Sequence, residues 1–108
     1  MAMMEIAVLP VGTGSTSVSP YIADIASFLN KKKGVQVELN GMGTTITGPL
    51  PTLFRLAAEM HALPFHRGAK RVYTVIKIDD RRDKAQTPAD KVDSVMRKVK
   101  ENGKRTKT

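Results

Sequence analysis

The sequence predicts an α+β domain, and three observations carry the prediction. Apolar residues recur at helical spacing in three stretches, around residues 21–29, 53–63 and 92–99. Runs with strand character stand between them, at residues 4–9, 35–39, 44–47 and 71–78. Turn residues punctuate the runs, above all Asn40-Gly41-Met42-Gly43, because glycine enters φ > 0 at little cost. At 108 residues with 41% hydrophobic content, the chain has material for one core and not for two.

The elements follow in order. Met4 to Leu9 alternates around Ile6 and Val8 and closes at Pro10, which makes a first strand. Val11 to Ser17 reads as a crossover loop: its Gly12-Thr13-Gly14 lacks the lysine and further glycines of a phosphate cradle. Ser19-Pro20 is expected to open a helix, with Ser19 as N-cap. Tyr21, Ile22, Ile25, Phe28 and Leu29 form its apolar stripe. Lys31-Lys32-Lys33-Gly34 ends it, cations suiting the negative helix terminus and glycine a left-handed residue. Val35 to Leu39 and Thr44 to Thr47 then pair as a hairpin.

Pro49 to Pro51 lead into a second helix whose buried side is Leu53, Leu56, Ala57, Met60 and Leu63, with Pro64 stopping or kinking it. Arg71 to Ile78 is nearly continuous in apolar and β-branched residues, the pattern of a central strand covered on both faces. Asp79 to Gln86 is a charged connection in which opposite charges neutralise one another. Thr87-Pro88 caps a third helix, Asp90 suits its first turn, and Val92, Val95, Met96 and Val99 make a narrow stripe. The order strand, helix, strand, strand, helix, strand is the ferredoxin-like βαββαβ sandwich, a four-stranded antiparallel sheet with helices on one face, here with an extra C-terminal helix. Residues 1–101 form the single domain, and 102–108 read as a basic flexible tail without an apolar anchor.

Period-two counting divides the sheet. With Ile6, Val8, Val37, Leu39 and Ile46 towards the helices, the open face carries Glu5, Ala7, Leu9, Gln36, Glu38, Asn40, Thr45 and Thr47. The last strand adds Tyr73, Val75 and Lys77, or their alternates. Carboxylates among hydroxyls and amides suit a nitrogen heterocycle with donor groups. The alternative for Glu5 and Glu38 is pairing with Lys or Arg across the strands. A polar open face beside Leu9 and Val75, with a narrow third helix, favours a homo-oligomer.

Charge and composition exclude other classes. Of the net charge of +8, Arg97 to Thr108 supplies +5, six basic residues against Glu101. A basic end without aromatic stacking platforms argues against a defined nucleic-acid site. No apolar run approaches the ~20 residues of a membrane span, and no basic-then-apolar leader is visible, so the expectation is a cytoplasmic protein with no membrane partner. With no cysteine, with His61 and His66 five residues apart across Pro64, and with no serine set beside a His-Asp arrangement, neither catalysis, nor a metal centre, nor a cofactor is expected.

Several stretches resemble a known family. They are Leu9-Pro10-Val11-Gly12-Thr13-Gly14, Gly41-Met42-Gly43-Thr44, Arg71 through Lys84, and Lys91-Val92-Asp93-Ser94-Val95. Their order is similar to that of the small thiamine-binding proteins of the YkoF-like superfamily. The resemblance implies a ferredoxin-like subunit that associates through its sheets into dimers or tetramers. It also implies binding of thiamine or its pyrimidine moiety without turnover. Members commonly carry Thr-x-x-Glu-Gly in the second hairpin strand. Here Thr44-Thr45-Ile46-Thr47-Gly48 sets a hydroxyl in place of the acid, which can bond a heterocycle but cannot neutralise a cation. The candidate ligand-binding residues are therefore Glu5, Glu38, Asn40, Thr44, Thr45 and Thr47.

Overall fold

The computed structural model describes residues 1–83 and 87–105. Lys84, Ala85 and Gln86 of the charged connection and Thr106 to Thr108 of the basic end lie outside the described residues. The elements are β1 (Ala2–Pro10), α1 (Ser19–Asn30), β2 (Gln36–Asn40), β3 (Gly43–Gly48), α2 (Leu50–His66), β4 (Val72–Asp79) and α3 (Pro88–Arg105). The strands pair antiparallel in the order β2-β3-β1-β4, the ferredoxin-like arrangement that the sequence predicts.

Alternation along β1 sets the layers. Ala2, Met4, Ile6 and Val8 point to the helices and are buried, while Glu5 and Leu9 between them are exposed. Ile46 of β3 stands opposite Met4, and Ile25 and Leu29 of α1 with Leu53, Leu56, Ala57 and Met60 of α2 complete the core. Asp24 of α1 ties down the end of α2 by accepting two bonds from Arg67, at 2.6 and 3.0 Å. The guanidinium holds the Asp24 carboxyl below the usual carboxylate range.

Several local expectations change. Ser19 is the first residue of α1 rather than its cap; Val18 takes that place without a side-chain bond, and its carbonyl accepts the amides of Tyr21 and Ile22. Pro64 does not stop α2 at once, and the helix runs on to His66. The proline sits buried in the last turn, and its carbonyl accepts the amides of Arg67 and Ala69 at 3.1 and 3.0 Å. The hairpin turn is made with negative φ at Gly41; the left-handed glycines are Gly12, Gly14, Gly34 and Gly68. Gly43 suits its place for another reason: a Cβ there would lie 3.0 Å from the carbonyl oxygen of Ile6, so the paired strands would have to give by a few tenths of an ångström.

The largest correction concerns β4. It is an edge strand, not a central one, and most of its side chains are exposed. Its apolar sequence therefore does not report cover within the chain. α3 begins as expected, with Asp90 N donating to Thr87 Oγ1 at 3.1 Å and Thr87 N donating to Asp90 Oδ2 at 2.9 Å. It runs on through Arg105, four residues into the stretch expected to be a tail. The path from β4 to α3 is laced by Arg82–Asp80 at 2.9 Å, Arg81–Asp83 at 2.7 Å and the Lys91–Asp79 ion pair.

Candidate functional site

The β2–β3 hairpin, the end of β1 and the first half of α1 enclose a pocket of about 280 Å³. Register explains its wall. Thr44 stands opposite Leu39 on one side and Ile6 on the other, so all three side chains point towards the helices. Ile22 and Ile25 of α1 close the far side, and Met60 of α2 forms the floor. The turn Asn40 to Gly43 supplies the rim, with Met42 at its tip 93% exposed. Thr44 is only 5% exposed, so its side chain is largely withdrawn from solvent. Among the described residues that line the pocket none is ionisable; Thr44 and Asn40 carry the polar side chains.

The open face of the sheet is a different environment. Glu38, Thr45, Glu5 and Lys77 follow one another across all four strands in register. Lys77 Nζ lies 3.8 Å from Glu5 Oε1, the cross-strand pairing considered as the alternative for that acid. Asn40 Nδ2 donates to Thr45 Oγ1 at 2.8 Å, which turns the Asn40 side chain to this face although its residue borders the pocket. Thr47 sits opposite Met3 and Gln36, 4% exposed, and its Oγ1 has no hydrogen-bond partner among the described residues.

The expected site residues thus divide. Glu5, Glu38, Asn40, Thr45 and Thr47 share the open face, while Thr44 lies on the opposite side, inside the pocket. Sequence reasoning missed Ile22, Ile25, Met60 and Met42 as pocket residues. The first three read as ordinary core stripe, and nothing in their spacing separates a residue that lines a cavity from one that fills it. His61 belongs to neither region: its Nδ1 lies 2.7 Å from Thr74 Oγ1, joining α2 to β4. A broader hollow along α3 is bordered by that helix alone, and one helix cannot enclose a ligand. No three His, Asp or Glu among the described residues converge as a metal site would require.

The model of the family described as thiamine-binding protein matches residues 4–96. The chain belongs to the thiamine-binding protein family. The matched span takes in every residue lining the pocket and ends within α3. Among relatives of this family, a UPF0045 protein of Staphylococcus xylosus is 42% identical over 106 residues, covering 95% of this chain and 99% of its own. The UPF0045 protein YqgV of Bacillus subtilis is 40% identical over 98 residues, covering 88% and 94%. A solved structure from Methanocaldococcus jannaschii superposes with a TM-score of 0.77 at 30% identity, over 87% of this chain and 94% of that one. A candidate thiamine biosynthesis/salvage protein of Thermotoga maritima gives 0.69 at 20% identity, over 87% and 97%, and establishes likeness of fold alone.

Proposed function

We propose that the protein binds thiamine, through its pyrimidine ring, or the free hydroxymethylpyrimidine, in the pocket between the β2–β3 hairpin and α1, and does not turn it over. The observation that carries this reading is the pocket's lining: apolar walls, one buried threonine at Thr44, the backbone of the turn, and no ionisable side chain. An uncharged aromatic ring gains from such walls, and a buried hydroxyl fixes its orientation. A thiazolium cation would meet no counter-charge there and belongs at the mouth, beside Met42, whose flexible thioether can close over a ring. The volume lies at the small end of ligand pockets, the scale of one substituted ring. With no titratable group on the wall there is no acid or base to move a proton, which fits binding without turnover.

Calorimetric titration with thiamine, hydroxymethylpyrimidine and the isolated thiazole tests the reading. The two pyrimidine compounds should bind and the thiazole should not. Binding of the thiazole alone, or of none of the three, overturns it. The open face supports a second role, subunit association through the sheet: Leu9, Tyr73 and Val75 are exposed there, and the buried Thr47 hydroxyl lacks a partner within the described chain.

A further inference from the structure

β4 and α3 each carry an apolar surface that their own chain leaves bare. On the helix side of β4, Ile76 and Ile78 are 42% and 37% exposed. α2 runs beside this row, and the His61–Thr74 contact fixes which side of α2 faces β4. Phe54 lies two turns before His61 and Phe65 one turn after it, so all three project from the same side. Phe65 meets the His61 ring edge-on, with centroids 5.6 Å apart, and both phenylalanines remain exposed. The result is an apolar shelf, floored by β4 and walled by α2, at the edge of the sheet.

α3 presents the complement. Val92, Val95, Met96 and Val99 follow the i, i+3, i+4, i+7 spacing of a single stripe, and each is more than half exposed. Helices in water draw most of their stability from packing such a stripe, so an 18-residue helix with its stripe bare lacks its support. The root of α3 is fixed by the Thr87–Asp90 capping box and by the Lys91–Asp79 ion pair at the end of β4. Among the described residues no strand or helix packs extensively along it, and the molecule is drawn out to 59 × 31 × 19 Å.

We infer that α3 of one copy docks in the α2–β4 shelf of a second copy, so that two chains exchange their C-terminal helices about a twofold axis. Three observations agree on the occupant. Stripe and shelf are both bare, lie on one chain and do not meet within it. β4 carries the sequence of a strand covered on both faces while occupying an edge, so its cover comes from outside the chain. The area also suffices: stripe and shelf each expose roughly 400 Å², and two such contacts hide about 1,500 Å², the size of a stable interface.

Mass measurement by light scattering on the full chain tests the exchange. Val95→Glu with Met96→Glu spoils the stripe; Ile76→Glu, or Phe54→Glu on the α2 wall, spoils the shelf. Each variant should halve the mass of the wild-type assembly while circular dichroism and melting show a folded chain, and Phe54→Glu keeps the test open if Ile76→Glu does not fold. Mixing a stripe variant with a shelf variant should restore a mixed assembly, because one intact helix then meets one intact shelf. A monomeric wild type, or unchanged mass in both kinds of variant, overturns the proposal. So does dissociation of the stripe variant alone, which would mean that α3 pairs with α3. The pocket variants leave this measurement untouched, so failure here is separate from failure of ligand binding.

Discussion

Replacing Thr44 by valine separates the two faces of the hairpin. Valine keeps the branched shape of the side chain in its slot between Leu39 and Ile6 and removes only the hydroxyl. Thr44 is 5% exposed, so in the free protein that hydroxyl is mostly withdrawn from water, and its loss should leave folding stability within about 1 kcal/mol of wild type or raise it. A ligand ring bonded to the hydroxyl loses about 1–2 kcal/mol when it goes, which is roughly 5- to 30-fold in affinity. Glu38→Ala, on the opposite face, should change affinity less than about twofold. Calorimetric titration with hydroxymethylpyrimidine, beside urea denaturation of each variant, gives both numbers. Unchanged affinity in Thr44→Val with a tenfold loss in Glu38→Ala would place the ligand on the open face and refute the pocket. A folding loss well above 1 kcal/mol would mean that the hydroxyl serves the fold rather than a ligand.

Three further outcomes follow from the fold. Ile46→Ala empties a fully buried site opposite Met4 and should cost about 2–5 kcal/mol, read as a lower urea midpoint at unchanged slope. In Gly48→Ala the new Cβ would lie 2.7 Å from Val35 Cγ1, a stiff β-branched neighbour, so stability should fall by about 1–3 kcal/mol; a gain would show that Val35 moves freely. The Asp24–Arg67 pair contributes above the ordinary carboxylate pKa, near about pH 4, and its contribution is lost as pH falls through the lower native value. The difference in melting temperature between wild type and Asp24→Asn should therefore shrink towards zero as pH drops from about 6 to about 2; a constant difference would remove the ion pair as its cause.

Most of the fold was legible because period and punctuation agree. Alternation around Ile6 and Val8 assigned both faces of β1, and the structure keeps every residue of that division on its expected side. Thr87-Pro88 with Asp90 announced a helix start that the capping box confirms. What was not legible depends on neighbours distant in sequence. An apolar strand reads the same whether its cover comes from its own helices or from another surface, and β4 was misplaced for that reason. Ile22, Ile25 and Met60 read as filled core because a stripe reports which side is apolar and not whether the space beyond it is occupied. Gly43 looked like a turn residue needing positive φ, whereas the approach of Ile6 is what would crowd a side chain there, a contact 37 residues away in the chain.

The hairpin's composition hides its division of labour. Thr44-Thr45-Ile46-Thr47-Gly48 is polar nearly throughout, so composition alone assigns it one polar character. Register makes it two. Ile46 is fully buried against Met4, and that single apolar side chain fixes the phase of the strand. A slip of one residue would bring Ile46 to the open face and turn Thr45 and Thr47 into the core, which no partner there could satisfy. Locked in this phase, Thr44 must point with Ile46 towards α1, and Thr45 and Thr47 must point away with Glu5 and Gln36. The hydroxyl in the pocket is therefore placed by packing two residues further along, and the same isoleucine that holds the core together decides which threonine can meet a ligand.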